Sequence, residues 1–333
     1  MSTLIRSALL VKYSEIARTI GVDPERMIHH VGADRSCIAS PDLHVPEPWL
    51  AKVLDSTEQS SSCAAVGLLM AESWRLSDFG PISLVLQHQP TLRHALGQLD
   101  TYRHLLSESV FVHVEESGET AIVRQQLITE RSVPGRQPVE LSVGALLSLM
   151  KSMLGGSWKP RSVHFSHAAP ASLHVHHRLF GTRVEFGCDF DGIVMDRRDL
   201  DRPNPLGDVN LARYAREFLD QHPHGRQVST ASNVRRAVHM LLPRGQGSID
   251  QVGQQLGMSA RTLQRRLEQE GLEFSSLVNE VRRGLATRYL GDIRYPVSQV
   301  ALLVGFAEVS TFSRWFSAQF GTPPTRWRAE MNR

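Results

Sequence analysis

Residues 248–333 contain one sequence pattern twice, and this repeat limits the fold more than any other feature of the chain. The first copy, 249–267, has apolar residues at helical spacing, then a glycine, then an amphipathic stretch rich in arginine and hydroxyl groups. The second copy, 297–316, has the same order. This arrangement is typical of a helix-turn-helix, which lays its second helix in the DNA major groove. Two tandem copies predict a protein that binds two successive major-groove segments.

The positive charge of the chain is concentrated in the same segment. Residues 228–333 hold fourteen arginines, no lysine and eight acidic residues, a formal net charge of +6, whereas the whole chain carries +3. A nucleic-acid-binding module needs such an excess. Arginine-rich helix faces are often simply exposed to solvent. The positive charge supports DNA binding here because it lies in the same segment as the repeat. A helical bundle without DNA contact is the weaker alternative.

The first copy has recognisable signals at its helix ends. Ser248 and Gln251 have the spacing of a capping box, Gly257 predicts a turn with positive φ, and Ser259 predicts the N-cap of the second helix. On that helix Leu263 and Leu267 face the core, and five residues occupy the other faces: Arg261, Thr262, Gln264, Arg265 and Arg266. Arginine pairs with guanine and glutamine with adenine, so we expect Arg261, Gln264 and Arg265 to contact base edges.

The second copy is predicted to be less base-specific. Gly305 marks its turn, Phe312 and Phe316 face inward, and the outward residues are mostly hydroxyl-bearing: Ser310, Thr311, Ser313 and Arg314, together with Glu308. Serine and threonine bond to either bases or phosphates.

A long helix over 274–290 is predicted to connect the copies. It would hold the two groove insertions one helical turn apart, about 34–36 Å. Its Arg282 and Arg283 either contact phosphates or are solvated surface residues.

The rest of the chain predicts a separate α+β domain. The first hundred residues have mainly helical patterns, and from Ser109 onward strand patterns at 110–114, 121–127, 161–167, 182–186 and 190–195 alternate with helices at 139–154 and 211–219. The predicted organisation is therefore an α+β domain at 1–220, a polar linker at 221–230, and an all-α domain at 231–333 with helix-turn-helix units at 248–268 and 297–320. The apolar helix 139–154 fits a dimer interface and a domain core equally well.

Other classes of protein find little support. No apolar stretch approaches the ~18 residues of a membrane span and no secretion signal is evident, while three widely spaced cysteines fit a reducing cytoplasm. No nucleotide-binding or hydrolase motif appears, so catalysis and cofactors are not expected.

Two groups of residues could bind a ligand or a metal ion, but a purely structural role is the simpler explanation for each. Five histidines lie within fourteen residues: His164, His167, His174, His176 and His177. His174 and His176 alternate as on a strand and no helical i, i+4 pair exists, so hydrogen-bonded or surface histidines are favoured over a metal site. Trp74, Trp158 and the phenylalanines of the first domain either line an apolar pocket or, more simply, pack the core. No ligand-binding residues are predicted.

Several runs resemble one known family. Those at 262–267, 280–283, 300–306, 312–316 and 321–324 are similar, in order and spacing, to the AraC/XylS family of bacterial transcription regulators. Residues 164–170, 179–181 and 184–186 resemble the arabinose-binding-type sensor domain of one branch of that family, which includes ornithine-responsive and virulence or quorum-sensing regulators.

The resemblance implies a transcription factor, usually an activator, that binds a bipartite promoter site. By position it places base-reading residues at Arg261, Gln264 and Arg265 in the first unit, and at four residues in the second: Val309, Ser310, Ser313 and Arg314. Val309 departs from the polar residue often found there, so a contact at that site would be apolar.

The expected partners are double-stranded promoter DNA, RNA polymerase, a small-molecule effector and a second copy of the chain, with no membrane. The expected location is the cytoplasm, at the nucleoid. The alternatives are a DNA-binding regulator without a small-molecule ligand, controlled by a protein partner or its own abundance, and an enzyme fused to a DNA-binding domain.

Overall fold

A computed structural model of the chain describes residues 4–33, 35–61, 63–129, 134–221, 230–291, 293 and 295–331. These residues form two compact units, one N-terminal (4–129 and 134–221) and one C-terminal (230–331 with its gaps). Residues 222–229 of the expected linker lie outside the described residues, and its end residues Gln221 and Thr230 belong to helices. No helix of the described part is long and apolar enough to cross a membrane.

The N-terminal unit mixes helices and strands, as predicted. Its nine α-helices are α1 (Ala8–Thr19), α2 (Pro24–His30), α3 (Glu47–Ser60), α4 (Val66–Glu72), α5 (Ile82–Gln87), α6 (Leu92–Thr101), α7 (Arg136–Leu154), α8 (His174–Phe180) and α9 (Val209–Gln221). Its strands are β1 (Leu4–Arg6), β2 (His44–Pro46), β3 (Val110–Ser117), β4 (Thr120–Leu127), β5 (Ser162–His164), β6 (Arg183–Glu185) and β7 (Asp191–Asp196).

The strands form two sheets. The larger has the order β3-β4-β7-β5-β6, in which only the β5–β6 pair is parallel. The predicted hairpin is confirmed: β3 and β4 pair antiparallel from Val110↔Leu127 to Ser117↔Thr120. The small β1–β2 sheet was not predicted, because three-residue strands are too short to show an alternating pattern.

Helix α7 lies in the core of this unit. Fourteen of its nineteen residues are buried, including Val143, Leu147 and Met150. The sequence allowed two roles for the apolar helix 139–154, a dimer interface and the domain core. The structure shows burial in the domain core. The helix begins at Arg136 and ends at Leu154, and the capping residue Gly155 has a φ of 101°, which suits a glycine.

The expectation that His174 and His176 lie on a strand is wrong. They belong to helix α8, which buries His176 and Phe180 at i, i+4 and is capped by Gly181 in the left-handed conformation. The alternation of His174 and His176 suggested a strand. Burial of residues four apart on one face is instead the pattern of a helix.

The C-terminal unit is entirely helical in its described residues. Its helices are α10 (Thr230–Leu241), α11 (Ile249–Gln255), α12 (Ala260–Gln269), α13 (Phe274–Gly291), α14 (Val297–Leu303), α15 (Val309–Phe320) and α16 (Pro324–Met331). One core joins both halves, since Leu263 and Leu267 of α12 belong to the same buried cluster as Phe312 and Phe316 of α15. The cluster includes Leu277 and Leu285 of α13, so the long helix is shared by both halves.

Candidate nucleic-acid interface and interior cavity

The first helix-turn-helix consists of α11 and α12, and the predicted signals at its ends are confirmed. Ser248 Oγ accepts from the Gln251 amide at 3.3 Å, while Gln251 Oε1 accepts from the Ser248 amide at 3.1 Å. Gly257 has a φ of 66°. Ser259 Oγ accepts from the Thr262 amide at 3.2 Å and caps α12. These local bonds fix where α12 begins.

The outer face of α12 carries the residues expected to contact bases. Leu263 and Leu267 are fully buried, which turns Arg261, Gln264 and Arg265 outward into exposed positions. Thr262 is half-buried, and its hydroxyl hydrogen-bonds Ser259 Oγ at 2.9 Å. The outer face of α12 therefore exposes side chains that can hydrogen-bond to base edges.

The second helix-turn-helix consists of α14 and α15. Gly305 at its turn has a φ of 77°, and Phe312 and Phe316 are fully buried. Of the residues expected on the outer face, Val309, Ser310 and Arg314 are exposed and Ser313 is half-buried. The two units thus present equivalent faces of their second helices.

Arg282 and Arg283 of α13 have different surroundings. Arg282 is half-buried, its Nε donates to the Val304 carbonyl at 3.2 Å, and its guanidinium lies 4.6 Å from the centre of the Phe306 ring. Burial lowers the pKa of this guanidinium. Arg283 is exposed. Arg283 is therefore available to a phosphate, whereas Arg282 joins α13 to the turn of the second unit.

Further side chains that the sequence reasoning missed fasten the second unit to α13. Trp315 Nε1 donates to Asn279 Oδ1 at 3.1 Å. Arg328 of α16 donates to the carbonyls of Leu290 at 3.0 Å and Tyr295 at 2.7 Å. From the sequence alone, an arginine or tryptophan in an amphipathic helix can be assigned only to the surface or to the core. Its hydrogen-bond partner, which lies far away in the sequence, cannot be identified.

Acidic side chains of the C-terminal unit are engaged within it. Glu270 accepts from the backbone amides of Thr230 and Ala231 at the start of α10, and Glu280 pairs with Arg235 at 2.9 Å. In the described part of the chain, no ion pair involves the outward arginines Arg261, Arg265, Arg283 and Arg314. Their charge is thus left for an external anion such as a DNA phosphate or a base edge.

The N-terminal unit contains an apolar cavity of about 120 Å³ that is partly open to solvent. It lies among β3, β4, α7 and the first residues of the chain, and most of its lining is aliphatic, for example Ile5, Leu99 and Leu146. Trp74 lines this cavity, and lining an apolar pocket is one of the two roles that the sequence allowed for the tryptophans. Trp158, in contrast, is packed in the core and donates to Asp199 Oδ2 at 2.9 Å.

Gln125 and Trp74 line the cavity, but Gln125 Oε1 and Trp74 Nε1 lie behind its surface with almost no accessible area. Gln125 Oε1 and Trp74 Nε1 are both buried, and neither has a hydrogen-bond partner within the described residues. The Gln125 amide nitrogen, in contrast, is bonded to Ser142 Oγ. Buried polar groups are satisfied in the great majority of cases, so these atoms are exceptions in the interior of the unit.

The histidine cluster is largely structural. His176 is buried and its Nε2 lies 2.7 Å from Glu140 Oε1, while Arg136 Nη1 pairs with the other oxygen of this buried carboxylate at 3.0 Å. His167 Nε2 lies 3.7 Å from the same carboxylate. This is the hydrogen-bonded arrangement that the sequence favoured over metal ligands.

A different trio comes closest to a metal site. Ligand atoms of His164, Glu185 and Cys188 lie within 4.8 Å of one another. His164 Nε2 bonds Ser162 Oγ at 2.8 Å, and Glu185 pairs with Arg183 at 3.1 Å. The polar contacts of these two residues are thus accounted for without an ion.

Comparison with known proteins gives two family matches. A model of the arabinose-binding N-terminal domain of AraC transcription regulators matches residues 21–204. A model of a helix-turn-helix domain matches residues 252–330.

Individual relatives agree with these matches. The HTH-type transcriptional regulator VirS of Mycobacterium tuberculosis is 28% identical over 331 residues, 99% of this chain and 97% of VirS. An ornithine utilization regulator of Pseudomonas aeruginosa is 25% identical over 79% of this chain and 78% of its own length. A urease operon transcriptional activator of Escherichia coli is 31% identical over 88 residues, 26% of this chain and 30% of the activator.

Proposed function

This chain belongs to the AraC family of transcription regulators, and from that premise we propose that it binds promoter DNA with both helix-turn-helix units and activates transcription in response to a small molecule. The observation that carries the DNA-binding part is the pair of exposed recognition helices, α12 and α15, built on one connecting helix. The regulators that resemble the chain are not enzymes, and we assign it no catalytic activity.

The proposed base contacts are made by the first turns of the two recognition helices. Arg261, Gln264 and Arg265 read bases in one groove segment, with Thr262 beside them at the cap of α12. Val309, Ser310, Ser313 and Arg314 lie against the other segment, and their mainly apolar and hydroxyl chemistry supports a weaker base preference there. Arg283 contacts a phosphate between the two. A phosphate contact by Arg282 stays a prediction, since its guanidinium is engaged within the unit.

Activation and small-molecule control are supported by different observations. A relative of the DNA-binding half is named as an activator, and this supports contact with RNA polymerase at the promoter. The match to an arabinose-binding-type domain and the interior cavity support an effector bound in the N-terminal unit. We place the protein in the cytoplasm at the nucleoid, because promoter DNA lies there. Control by a protein partner alone is the alternative.

A second copy of the chain is the remaining proposed partner. Helix α9 exposes Leu211, Tyr214 and Phe218 at the i, i+3, i+7 spacing of a helix-pairing seam. Helix 139–154 does not offer such a face, since it is buried. Sedimentation of the full chain and of Tyr214→Glu tests this: a dimer that dissociates in the variant supports the seam, and a wild-type monomer contradicts it.

One experiment tests the proposed function as a whole. The purified chain is incubated with fragments of its own genome, the bound fragments are sequenced, and transcription from them is measured with purified RNA polymerase. We expect a few strongly enriched promoter fragments, and more transcript when the protein is added together with the small-molecule fraction of a lysate of its own cells. Uniform enrichment of all fragments would contradict sequence-specific binding, and reduced transcript would contradict activation.

A further inference from the structure

We propose that the cavity of the N-terminal unit binds an uncharged molecule through a hydrocarbon portion of about six carbon atoms, and that its ligand is neither a sugar nor a carboxylate. This inference rests on the proposed effector role of that unit and adds the chemical class of the effector. Three properties of the cavity carry it: the surface that a ligand can touch, the pairing of the charged groups around it, and its size.

The surface that a bound molecule can touch is almost entirely apolar. Aliphatic side chains make up most of the lining, for example Val112 of β3 and Leu146 of α7. Trp74 and Gln125 also line the cavity, but Trp74 Nε1 and Gln125 Oε1 have almost no accessible area and offer a ligand no hydrogen bond. Contact with such a wall is favourable for a hydrocarbon, because apolar surface on both sides leaves water.

The charged side chains at the cavity are paired within the protein. Five of them belong to the lining: Arg6, Arg103, Glu47, Asp78 and Asp100. Arg6 pairs with Asp42 at 2.6 Å, Asp78 pairs with Lys12 at 3.1 Å, and Arg103 lies 3.8 Å from Asp100. A charged ligand group of either sign would have to displace one of these partners or stay unpaired beside apolar walls, and both cost free energy. An uncharged ligand avoids this cost.

A sugar would find too few hydrogen-bond partners in the cavity. A pentose brings about four hydroxyl groups, and each one buried without a partner costs free energy. The hydroxyl groups of the lining are already engaged: Ser107 and Ser109 bond each other at 2.7 Å, and Ser142 Oγ accepts from the amide of Gln125. The cavity therefore disfavours the sugar after which this type of domain is named.

The size of the cavity limits the hydrocarbon portion of the ligand. Its volume is about 120 Å³, and apolar cavities on the order of 150 Å³ take up benzene, a six-carbon molecule. Protein interiors are densely packed, so a cavity of this size lowers stability because its walls lack packing contacts. Two of its wall residues, Ala8 and Ala145, are small. Larger apolar residues there would fill the space, so the observed residues favour a binding role over a packing role.

Calorimetric titration of the full chain with 1-alkanols tests the proposal, because the hydroxyl group can stay at the solvent-exposed opening while the carbon chain enters the cavity. We expect 1-hexanol to bind, with affinity rising about fourfold per methylene from 1-butanol to 1-hexanol. The rise should stop before 1-octanol, whose extra methylenes find no room. Hexanoate, hexylammonium and L-arabinose at the same concentrations should give no heat of binding.

Variants that fill the cavity locate the binding site. Ala145→Leu adds apolar bulk from α7 and should weaken 1-hexanol binding at least about tenfold, since the space of two or more buried carbons is lost. Ser152→Leu is the matched control, because Ser152 is exposed on the same helix and lies outside the lining, and it should bind like the wild type. Ala8→Leu fills the cavity from α1 and preserves the test should Ala145→Leu fail to fold.

Several results would overturn the proposal. They are the absence of 1-hexanol binding, an affinity that does not depend on chain length, and tighter binding of hexanoate, hexylammonium or L-arabinose than of 1-hexanol. Unchanged affinity in the folded cavity-filling variants, or an equal loss in Ser152→Leu, would place the bound alkanol outside the cavity and would overturn it as well.

Measuring DNA affinity in parallel separates this proposal from the proposed function. Binding of 1-hexanol that changes the affinity for promoter DNA supports both. Binding of 1-hexanol without such a change supports the ligand class and contradicts the effector role. Specific DNA binding by a protein that takes up no 1-hexanol overturns only the ligand class.

Discussion

Arg282 donates a hydrogen bond from Nε to the carbonyl oxygen of Val304 across 3.2 Å, and this bond joins the connecting helix to the turn of the second helix-turn-helix. The carbonyl lies just after the last residue of α14, where helical partners are missing. The guanidinium also lies over the Phe306 ring. The separation of the two recognition helices therefore depends on a half-buried polar contact as well as on apolar packing.

Replacing Arg282 with alanine should destabilise the C-terminal unit by about 1–3 kcal/mol, because it leaves the Val304 carbonyl without its donor and removes a cation–π contact. Urea unfolding measures the change. Arg283→Ala is the control at the next position and should change stability by less than about 0.5 kcal/mol, as exposed sites do. Equal losses in both variants would contradict the structural role of Arg282.

Arg283→Ala should instead weaken DNA binding. Loss of one phosphate contact lowers affinity for all duplexes alike and reduces the slope of log affinity against log salt by about 1. Binding titrations at several salt concentrations, with specific and random duplexes, measure this slope. An unchanged slope would remove Arg283 from the interface.

Arg265→Ala should cost about 1–3 kcal/mol of specific binding and relax the preference at one base pair, because a bidentate arginine–guanine contact is lost. Affinity for random duplexes should fall less. Arg326→Ala is a matched control, since Arg326 lies on α16 and pairs with Glu330. Equal losses on specific and random DNA would make Arg265 a phosphate contact.

Two glycines of the C-terminal unit should respond to alanine in opposite directions. Gly305 has a φ of 77°, and an added Cβ would lie 2.7 Å from Leu242 Cδ2, so Gly305→Ala should destabilise by at least about 1 kcal/mol. Gly284 lies inside α13 with open space at the Cβ position, so Gly284→Ala should stabilise by about 0.5–1 kcal/mol. Thermal unfolding of both variants measures the contrast. A loss of stability in Gly284→Ala would contradict the claim that the Cβ position of residue 284 faces open space.

Low pH should weaken the C-terminal unit through His239. Burial and the nearby Arg288 lower the pKa of this histidine to about 4 in the folded state. The unfolded chain has a pKa of about 6.5, so its histidine takes up a proton first as the pH falls. The stabilisation is complete above about pH 6.5 and is lost between there and about pH 4, by up to about 3 kcal/mol. Unfolding of residues 226–333 at several pH values should show this loss in the wild type and a smaller one in His239→Leu.

The sequence predicted the helix-turn-helix units well because their signals are local. The capping box of Ser248 and Gln251, the glycine at 257 and the cap at Ser259 each act within a few residues, and all three are observed. The hairpin of β3 and β4 was predicted for the same reason. Short strands such as β1 were missed, because three residues are too few to establish a period.

Contacts between distant residues were not predictable in the same way. Arg282 appeared as a surface residue of an amphipathic helix, and its partner Val304 lies 22 residues away. Gln125 falls in the predicted strand 121–127, and only the packing of α7 against β4 shows that its side-chain oxygen is buried. The Arg282 contact and the burial of the Gln125 oxygen therefore become visible only in the folded structure.

The central claim is that two recognition helices on one connecting helix read two successive groove segments of the same duplex. Selection of bound sequences from a random DNA pool, with the wild type, Arg265→Ala and Arg314→Ala, tests it most directly. We predict a motif of two blocks about 10–10.5 base pairs apart, the stronger block degraded only by Arg265→Ala and the weaker only by Arg314→Ala. A single block, or the same block degraded by both variants, would contradict the claim.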